Sequence, residues 1–364
     1  MRITKIRYGN LQIPLRTPFK TALRTVEKID DVVIRIETDT GHSGYGSAPP
    51  TVAITGESKE TILATLKEII EPLLLGQSVC DLAKLCVSVQ DACTGNSSAK
   101  AAAEIALYDL YAQLQGKPLY RVLGGSSAVL NTDLTISSND THIMLADCED
   151  ALLRGFTSLK IKVGKNSAED IQGLSQLYQA IAGRASLRID ANQGWSAKQT
   201  VAILNTLEDS GMVFELIEQP VVSSDIDGLK YIKAHVKTPV LADESAFSLQ
   251  QVKNLIELDA VDLINIKLMK TGGLSQAIAI ADYCAENAKQ CMMGCMLEGG
   301  ISAAAAVHLA IAKQQVITKI DLDGPTLGAF NPIDSNVLFN DAVISVTDTP
   351  GLGIRQLPTV NWYD

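Results

Sequence analysis

The second part of the chain alternates between short apolar segments and longer amphipathic segments. From about residue 130 onward an apolar segment, a polar turn and an amphipathic stretch follow one another at intervals of roughly 25 to 30 residues. Short apolar runs predict buried β-strands, whereas the apolar spacing of 168–181, 197–207 and 274–285 predicts helices. The predicted strands are 132–136, 159–163, 187–190, 214–218, 240–243, 263–267, 291–295 and 317–322.

This alternation predicts a parallel sheet, because parallel neighbours need a crossover connection. Seven or eight such units fit before Asp323, and about eight parallel strands close a (β/α) barrel. A doubly wound open sheet is the competing fold, but no Gly-x-Gly-x-x-Gly turn follows the first strand. We therefore predict an α/β barrel with its active site at the carboxyl ends of the strands.

The first part of the chain, residues 1–125, predicts a smaller α+β region. Residues 3–13 alternate loosely, and an apolar strand over 31–38 reaches a turn at Asp39-Thr-Gly41 before a return strand. Helical spacing follows in 57–75 and 98–114.

Two segments of this region are candidate lid loops. Residues 15–28 are polar, basic and without clear periodicity, and 49–57 form a second, weaker candidate. The tail 324–364 is too long to be a frayed end, so we expect it to pack back on the N-terminal region. The barrel is then expected over 126–323.

Composition excludes several classes of protein. The chain has 364 residues, 46% of them hydrophobic, which is enough for a large core. Its net charge of -10 and its dispersed basic residues argue against a nucleic-acid surface and favour a small-molecule partner. No apolar stretch approaches the roughly 18 residues that span a bilayer, and the N-terminus lacks a signal-peptide core. We expect no membrane association and a cytoplasmic location.

The cysteines favour a reducing environment. They number seven, an odd count without a Cys-x-x-Cys pair, so we expect reduced thiols in the core rather than disulfides. Cys291 and Cys295 make a weak zinc site because no further ligands lie nearby, and small residues on a buried strand explain them better.

Lone carboxylates end three successive predicted strands. Burying an unpaired charge costs several kcal/mol or more, so Asp190, Glu218 and Asp243 imply one shared polar site. Three oxygen donors suit Mg²⁺. Any one of them alone is better explained as a helix cap or ion-pair partner, but three in register favour the metal site. Asn192 and Glu244 flank two of them and could orient them.

Three lysines also end predicted strands. Lys160 and Lys162 are two apart and so share one face, and Lys267 arrives four strands later. A lysine near a divalent cation can act as a base near neutral pH, because like charge and desolvation disfavour its ammonium form. Two such bases facing one carbon would allow proton exchange with inversion. A surface Lys-x-Lys on an edge strand is the alternative.

Asp321 and Asp323 present two carboxylates on one face of the last predicted strand. They suit a second metal ion or a substrate ammonium group, which needs no extra cation. A turn is the alternative, since Asp323-Gly-Pro325 is a good turn former. Arg24, within 15–28, suits a substrate carboxylate, although a lone loop arginine is more often solvated.

Six motifs together resemble those of the enolase superfamily and, within it, the muconate-lactonizing subgroup and its dipeptide epimerases. The resemblance covers essentially the whole chain. The motifs are Lys160-Ile-Lys162, Asp190-Ala-Asn-Gln-Gly-Trp195, Ile217-Glu-Gln-Pro220, Leu241-Ala-Asp-Glu-Ser245, Asn265-Ile-Lys-Leu-Met-Lys-Thr-Gly-Gly273 and Asp321-Leu-Asp323.

The resemblance implies a modified TIM barrel, (β/α)7β, with an N-terminal α+β capping domain that the C-terminal tail completes. It implies Asp190, Glu218 and Asp243 as ligands of one Mg²⁺ per subunit. Lys162 and Lys267 would be the two acid/base residues, since this superfamily pairs a lysine or histidine base with Mg²⁺ to stabilise an enediolate. Reprotonation on the opposite face would epimerise the substrate.

The same resemblance implies a dipeptide substrate. Asp321 and Asp323 would hold its α-ammonium group, and Lys160 would contact its carboxylate. Arg24 matches an arginine that L-Ala-D/L-Glu epimerases place on the glutamate side chain, so L-Ala-L-Glu or L-Ala-D-Glu is the expected substrate. The remaining pocket residues would be Thr135, Cys295 and Leu297.

Other functions stay open. An N-acylamino acid racemase, o-succinylbenzoate synthase or muconate cycloisomerase would keep the proton abstraction and change the substrate. A Schiff-base barrel would use a lysine as nucleophile, but three carboxylates in register argue against a metal-free site. A binding module without catalysis leaves the charged set unexplained. Barrels of this superfamily often form homo-oligomers, although no surface stripe predicts the contact.

Overall fold

The chain folds into a parallel barrel sheet accompanied by two antiparallel sheets. The computed structural model describes residues 1–20, 25–164, 166–355 and 357–363. In chain order the strands are β1 (Ile3–Lys20), β2 (Thr25–Thr38), β3 (Ser43–Ala48), β4 (Val129–Asn131), β5 (Leu134–Ile136), β6 (Ser158–Lys162), β7 (Ser186–Asp190), β8 (Leu216–Glu218), β9 (Val240–Ala242), β10 (Leu263–Ile266), β11 (Gln290–Gly294), β12 (Ile317–Asp321), β13 (Val337–Asn340), β14 (Val343–Val346) and β15 (Asn361–Trp362).

Helices fill most of the connections. They are α1 (Val52–Thr55), α2 (Lys59–Ala64), α3 (Glu71–Leu74), α4 (Leu82–Asp91), α5 (Ser97–Leu114), α6 (Leu119–Val122), α7 (Thr141–Leu153), α8 (Ser167–Ile181), α9 (Ala197–Asp209), α10 (Ile226–His235), α11 (Leu249–Glu257), α12 (Leu268–Thr271), α13 (Leu274–Glu286), α14 (Gly300–Ala312) and α15 (Gly324–Leu327). A π-helical stretch, Thr65–Ile70, continues α2 into α3, and Val79–Asp81 forms a short 3-10 helix.

Strands β5 to β12 form one eight-stranded parallel sheet in which neighbours in space are also neighbours in sequence. A doubly wound sheet reverses its strand order at a switch point, so the competing fold is excluded and the predicted barrel is confirmed. Helices α7 to α14 provide the crossovers. Each predicted strand overlaps an observed one, with bounds that differ by at most two residues. The division into 1–125, 126–323 and 324–364 stays a prediction.

The barrel interior has an apolar floor below its charged mouth. Side chains alternate across a strand, so residues two apart share a face. Leu216 therefore shares the inner face of β8 with Glu218, and Leu241 lies on the same side of its strand as Asp243. The buried cluster that forms the floor consists of Leu216, Leu241, Leu263 and Met292.

The N-terminal sheet has the order β15-β1-β2-β3, so the end of the chain returns to pair with β1, where Gly9 faces Trp362. The candidate lid at 15–28 is not an irregular loop where it is described. Strands β1 and β2 pair as far as Lys20 and Thr25, beyond an irregularity between Pro14 and Phe19. A basic, non-alternating sequence concealed this strand pairing. The second candidate lid, 49–57, contains α1.

Buried carboxylates join the N-terminal region to the barrel. The Asp31 carboxylate on β2 accepts a hydrogen bond from the Gly299 amide at 2.9 Å. Glu104 on α5 accepts bonds from the Ser275 amide and hydroxyl, at 2.8 and 2.6 Å, at the start of α13. Burial, with the nearby charge of Glu298, raises the pKa of Asp31 to about 8. These contacts fix the N-terminal sheet over the barrel mouth.

Strand β3 packs directly on the backbone of the alanine-rich helix α5. A Cβ atom at Gly46 would lie 1.9 Å from the Ala102 carbonyl oxygen, and one at Gly44 would lie 2.3 Å from that of Ala106. Real side chains never approach backbone this closely, so both positions require glycine. Glycines on the strand and alanines on the helix together allow this close packing.

Gly46→Ala is expected to lower the free energy of unfolding by about 3 kcal/mol, because β3 must move away from α5. Denaturant unfolding measures this change. Gly173→Ala, in α8, is the matched control, since a Cβ atom at Gly173 would meet only Thr141 Oγ1, at 3.6 Å. Equal stabilities of the two variants would contradict the close packing of β3 on α5.

The cysteines correct one prediction. All seven are free thiols, but Cys80 is exposed and Cys93 and Cys295 are half-buried, so the expectation of core positions is wrong for these three. Cys80 lies in the middle of the short 3-10 helix Val79–Asp81, at the surface. Within the described residues, no helix is both long and apolar enough to cross a bilayer.

Candidate active site

The carboxyl ends of β7, β8 and β9 bring three buried carboxylates together. Asp190 and Glu218 end their strands and are paired in register, and Asp243 directly follows β9. Their exposed fractions are 0, 0 and 2%. Because parallel strands of a barrel end at one rim, the side chains converge on its mouth, at the positions the sequence predicted.

Lysine ammonium groups lie among these carboxylates. Nζ of Lys162 is 2.5 Å from Asp190 Oδ2, and Nζ of Lys267 is 2.7 Å from Asp243 Oδ2. Lys162 ends β6 and Lys267 follows β10, four strands away in a sheet of eight, so the two lysines approach from opposite sides. Their positions match the prediction, and their roles as acid and base stay a prediction.

Lys160 connects the carboxylates to the last barrel strand. Its Nζ lies 2.7 Å from Glu218 Oε2, 3.1 Å from Asp190 Oδ2 and 2.8 Å from Asp321 Oδ2. Burial opposes the charge of Lys160, but the Asp321, Glu218 and Asp190 carboxylates raise its pKa well above the ordinary value. The ammonium group therefore balances three acidic side chains at once.

Lys270 completes this charge balance and was not singled out from the sequence. Its buried Nζ lies 2.6 Å from Asp243 Oδ1 and donates to the Asp243 and Asn265 carbonyl oxygens at 2.6 and 2.8 Å. The rule that found the other lysines also applies here, since Lys270 is a lone charge in an apolar run. Its place on a short helix, rather than at a strand end, concealed it.

The carboxylates titrate differently because their partners differ. Burial raises the pKa of Asp190, but the Lys162 and Lys160 ammonium groups outweigh it and leave the pKa below its ordinary value. Lys267 and Lys270 act in the same way on Asp243 and hold its pKa far below the usual range. For Glu218, burial and the Asp190 charge prevail and raise the pKa to about 7. In return, Asp243 raises the pKa of Lys267 against the effect of burial.

Several buried oxygens of the cluster accept no well-oriented hydrogen bond, among them Asn192 Oδ1, Glu218 Oε2 and Glu244 Oε2. Lys160 is close to Glu218 Oε2 but poorly oriented towards it. Such oxygens are the ligands that hard divalent cations prefer. In the part of the chain that the structure describes, no three acidic, histidine or cysteine side chains already form a complete metal site. A cation could bind here by displacing lysine contacts from the carboxylates.

Asn192 and Glu244, which flank two of the predicted metal ligands, contact each other, and Asn192 also contacts one of those carboxylates. The Asn192 amide donates to Asp190 Oδ1 at 2.9 Å, and its side chain reaches Glu244 Oε1 at 3.5 Å. Asn265 Nδ2 donates to Glu218 Oε1 at 2.9 Å. Each contact fixes one carboxyl oxygen and leaves the other directed towards the cluster.

Asp321 ends β12 beside this cluster, and Asp323 follows it at the start of α15. Burial raises the pKa of Asp321, but Lys160 and Lys267 outweigh it and bring the pKa to about 2. Asp323 Oδ2 accepts the Thr135 amide at 2.7 Å, while burial and the Asp321 charge raise its pKa to about 6. The pair is therefore a built anionic site and not a surface turn.

A cavity at the barrel mouth collects residues from both regions of the chain. The N-terminal region contributes Phe19, Ala53 and Ile54, which come from the two candidate lids. Sequence reasoning named these two segments as candidate lids but did not name these side chains, because apolar residues in a loop give no chemical signal. Arg24 lies outside the described residues. Other residues that line the cavity are Thr135, Lys160, Lys162, Asn192, Asp243, Lys267, Cys295, Met296, Leu297, Asp321, Asp323, Gly324 and Leu327.

Two family models match the chain. Residues 144–358 match the family described as enolase C-terminal domain-like, and residues 4–124 match the N-terminal domain of mandelate racemase and muconate lactonizing enzyme. The chain belongs to the enolase superfamily. The resemblance that the motifs indicated is thus confirmed over most of the sequence.

Relatives within the superfamily are similar over their full length. The L-Ala-D/L-Glu epimerase of Clostridium acetobutylicum is 46% identical over 98% of this chain and 99% of its own. A substrate-liganded L-Ala-D/L-Glu epimerase from Bacillus subtilis superimposes with a TM-score of 0.95 and 41% identity, covering 97% of this chain and 99% of that chain. A dipeptide epimerase of Enterococcus faecalis, complexed with Mg and L-Leu-L-Tyr, superimposes with a TM-score of 0.94 and is 36% identical. The match covers 98% of this chain and 100% of that chain.

Proposed function

We propose that this protein epimerises a dipeptide at the α-carbon of its C-terminal residue, in a reaction that depends on one Mg²⁺ per subunit. The observation that carries the proposal is the opposition of Lys162 and Lys267 across one buried carboxylate cluster. A proton removed by one lysine and returned by the other inverts the carbon between them. The relatives named as dipeptide epimerases support the same reaction.

In this proposal Asp190, Glu218 and Asp243 hold Mg²⁺. The unpartnered buried oxygens of the cluster and its all-oxygen donor set fit a hard divalent cation. When bound, the cation supplies positive charge that stabilises negative charge developing on the substrate. Lys162 and Lys267 would each have to be in the neutral amine form to accept the substrate proton as a base.

The proposed substrate is a dipeptide with a free ammonium group. Asp321 and Asp323 bear the negative charge that would receive this group, next to Thr135. In the cavity, Lys160 would contact the substrate carboxylate, and Cys295 and Leu297 would line the side-chain pockets. An acidic second residue, as in L-Ala-L-Glu, is preferred on the basis of Arg24. Homo-oligomeric assembly stays a prediction.

With Mg²⁺ in D₂O, the protein is expected to incorporate deuterium at the glutamate α-carbon of both L-Ala-L-Glu and L-Ala-D-Glu. Each lysine faces one side of that carbon. Lys162→Ala and Lys267→Ala should therefore each lose exchange with a different epimer, by about 10²- to 10⁴-fold, and keep it with the other. Mass spectrometry and NMR measure the exchange.

Lys230→Ala, on the outer face of α10, is the control for this experiment and should exchange both epimers at the wild-type rate. Absence of exchange across a panel of dipeptides would contradict the proposed function. Equal losses with both epimers in each lysine variant would contradict the two-sided arrangement while leaving the substrate class intact.

Asp321→Asn and Asp323→Asn are expected to lower kcat/KM for L-Ala-L-Glu by about 10- to 100-fold, because each removes a charge from the ammonium site. Steady-state epimerisation assays measure this change, with the exposed Asp334→Asn as control. If wild-type protein prefers an N-acylated glutamate to the dipeptide, the ammonium site is refuted and an N-acylamino acid substrate is indicated.

Mg²⁺ is expected to raise the thermal unfolding midpoint relative to protein in EDTA. At 100 times its dissociation constant, a ligand that binds only the folded state stabilises it by about 2.7 kcal/mol. Glu218→Gln should abolish most of this gain, whereas Glu257→Gln, exposed on α11, should keep it. Calorimetry measures the shift, and equal shifts in the two variants would place the cation elsewhere.

A further inference from the structure

The barrel sheet is not closed by a strand ladder. Its order runs from β12 to β5, and among the described residues no ladder joins those two strands directly. We call the gap between them the seam, formed by 132–136 on one side and 320–323 on the other. Isolated hydrogen bonds cross the seam instead of a ladder. The Asp133 amide donates to the Ile320 carbonyl at 3.2 Å, and the Leu322 amide donates to Thr132 Oγ1 at 2.9 Å.

Arg188 holds both sides of the seam from inside the barrel. Its Nη1 donates to Asp133 Oδ2 at 2.6 Å and to the Ile320 carbonyl at 2.9 Å. Its Nε donates to Glu215 Oε2 at 2.6 Å. The arginine side chain is only 5% exposed, so these contacts are shielded from solvent. A guanidinium group can make such divergent contacts because its donors lie in a rigid fork, which a lysine lacks.

The seam is also where the proposed ammonium site lies. Thr135 belongs to one side of it, and Asp321 and Asp323 belong to the other. The Thr135 amide already donates across it to Asp323 at 2.7 Å. The spacing between these groups therefore depends on how closely the two edges of the seam approach each other.

We propose that Arg188 is a positioning residue for substrate binding, which sets the geometry of the ammonium site by joining the two edges of the seam. The inference rests on the proposed function for the identity of the bound group. Arg188 lies two residues before Asp190 on β7, one layer deeper in the barrel. It acts through Asp133 and Ile320 and does not contact the substrate.

The same ionic network offers a matched control. Lys319 binds Glu215 Oε1 at 2.6 Å, so it shares a partner with Arg188. Its side chain makes no described hydrogen bond to Asp133 or to Ile320. The substitutions Arg188→Lys and Lys319→Arg both conserve charge. Only Arg188→Lys removes contacts across the seam.

Arg188→Lys is expected to raise KM for L-Ala-L-Glu by about tenfold while kcat changes by less than about threefold, because binding geometry is lost and the lysines are untouched. Lys319→Arg should leave both constants at wild-type values. Thr132→Val removes one seam hydrogen bond with little change of volume and should raise KM in the same direction. If Arg188→Lys does not fold, Thr132→Val takes its place in the experiment.

Hydrogen–deuterium exchange of peptides covering 132–136 and 320–323 tests the seam without any substrate. Faster exchange in Arg188→Lys and Thr132→Val, but not in Lys319→Arg, supports the inference. Unchanged exchange overturns it, as does a rise in KM that is the same in Lys319→Arg. If wild-type protein acts on no dipeptide, the proposed function fails, and the exchange experiment still decides whether Arg188 joins the seam.

Discussion

The cluster of buried carboxylates at the barrel mouth depends on the lysines that face it. Asp190, Glu218 and Asp243 have almost no exposure to water that could stabilise their charge, and repulsion among them would favour protonation or local unfolding. Ammonium groups from β6 and from the segment after β10 supply the balance at 2.5 to 3.1 Å. The site is consequently assembled as a set of ion pairs, in which no member can be removed without leaving a buried charge.

The same charge balance bears on the proposed metal binding and on the proposed proton transfer. The lysines that neutralise the carboxylates are the groups proposed to move the proton, so a cation that binds the same oxygens alters the lysines directly. The buried Lys270 contacts Asp243 Oδ1, whereas Lys267 contacts Asp243 Oδ2. Lys270 can therefore keep its contact when Lys267 gives up its own. Competition between cation and ammonium group for shared oxygens is therefore the central electrostatic feature of the proposed mechanism.

The surroundings of the cluster are built by two regions distant in sequence. Phe19 and Ile54 come from the N-terminal region and complete a cavity whose base is the barrel mouth. Buried carboxylates on Asp31 and Glu104 hold that region over the barrel by accepting backbone amides. The seam between β5 and β12 adds a further constraint, since Asp321 at the end of β12 and Asp323 just after it lie where the ladder is interrupted. The proposed ammonium site and the interruption of the barrel ladder thus lie at one place.

The sequence by itself determined the barrel, its strands and the convergence of Asp190, Glu218, Asp243 and the lysines, because strand periodicity and the cost of a buried charge are local properties. It did not determine which oxygen each lysine contacts, the burial of Lys270 or the contacts of Arg188. Those depend on distances between strands far apart in the chain. It also treated 15–20 and 25–28 as loop, since their pairing comes from a partner strand and not from alternation. Tertiary structure decided these features because they arise only when separate segments meet.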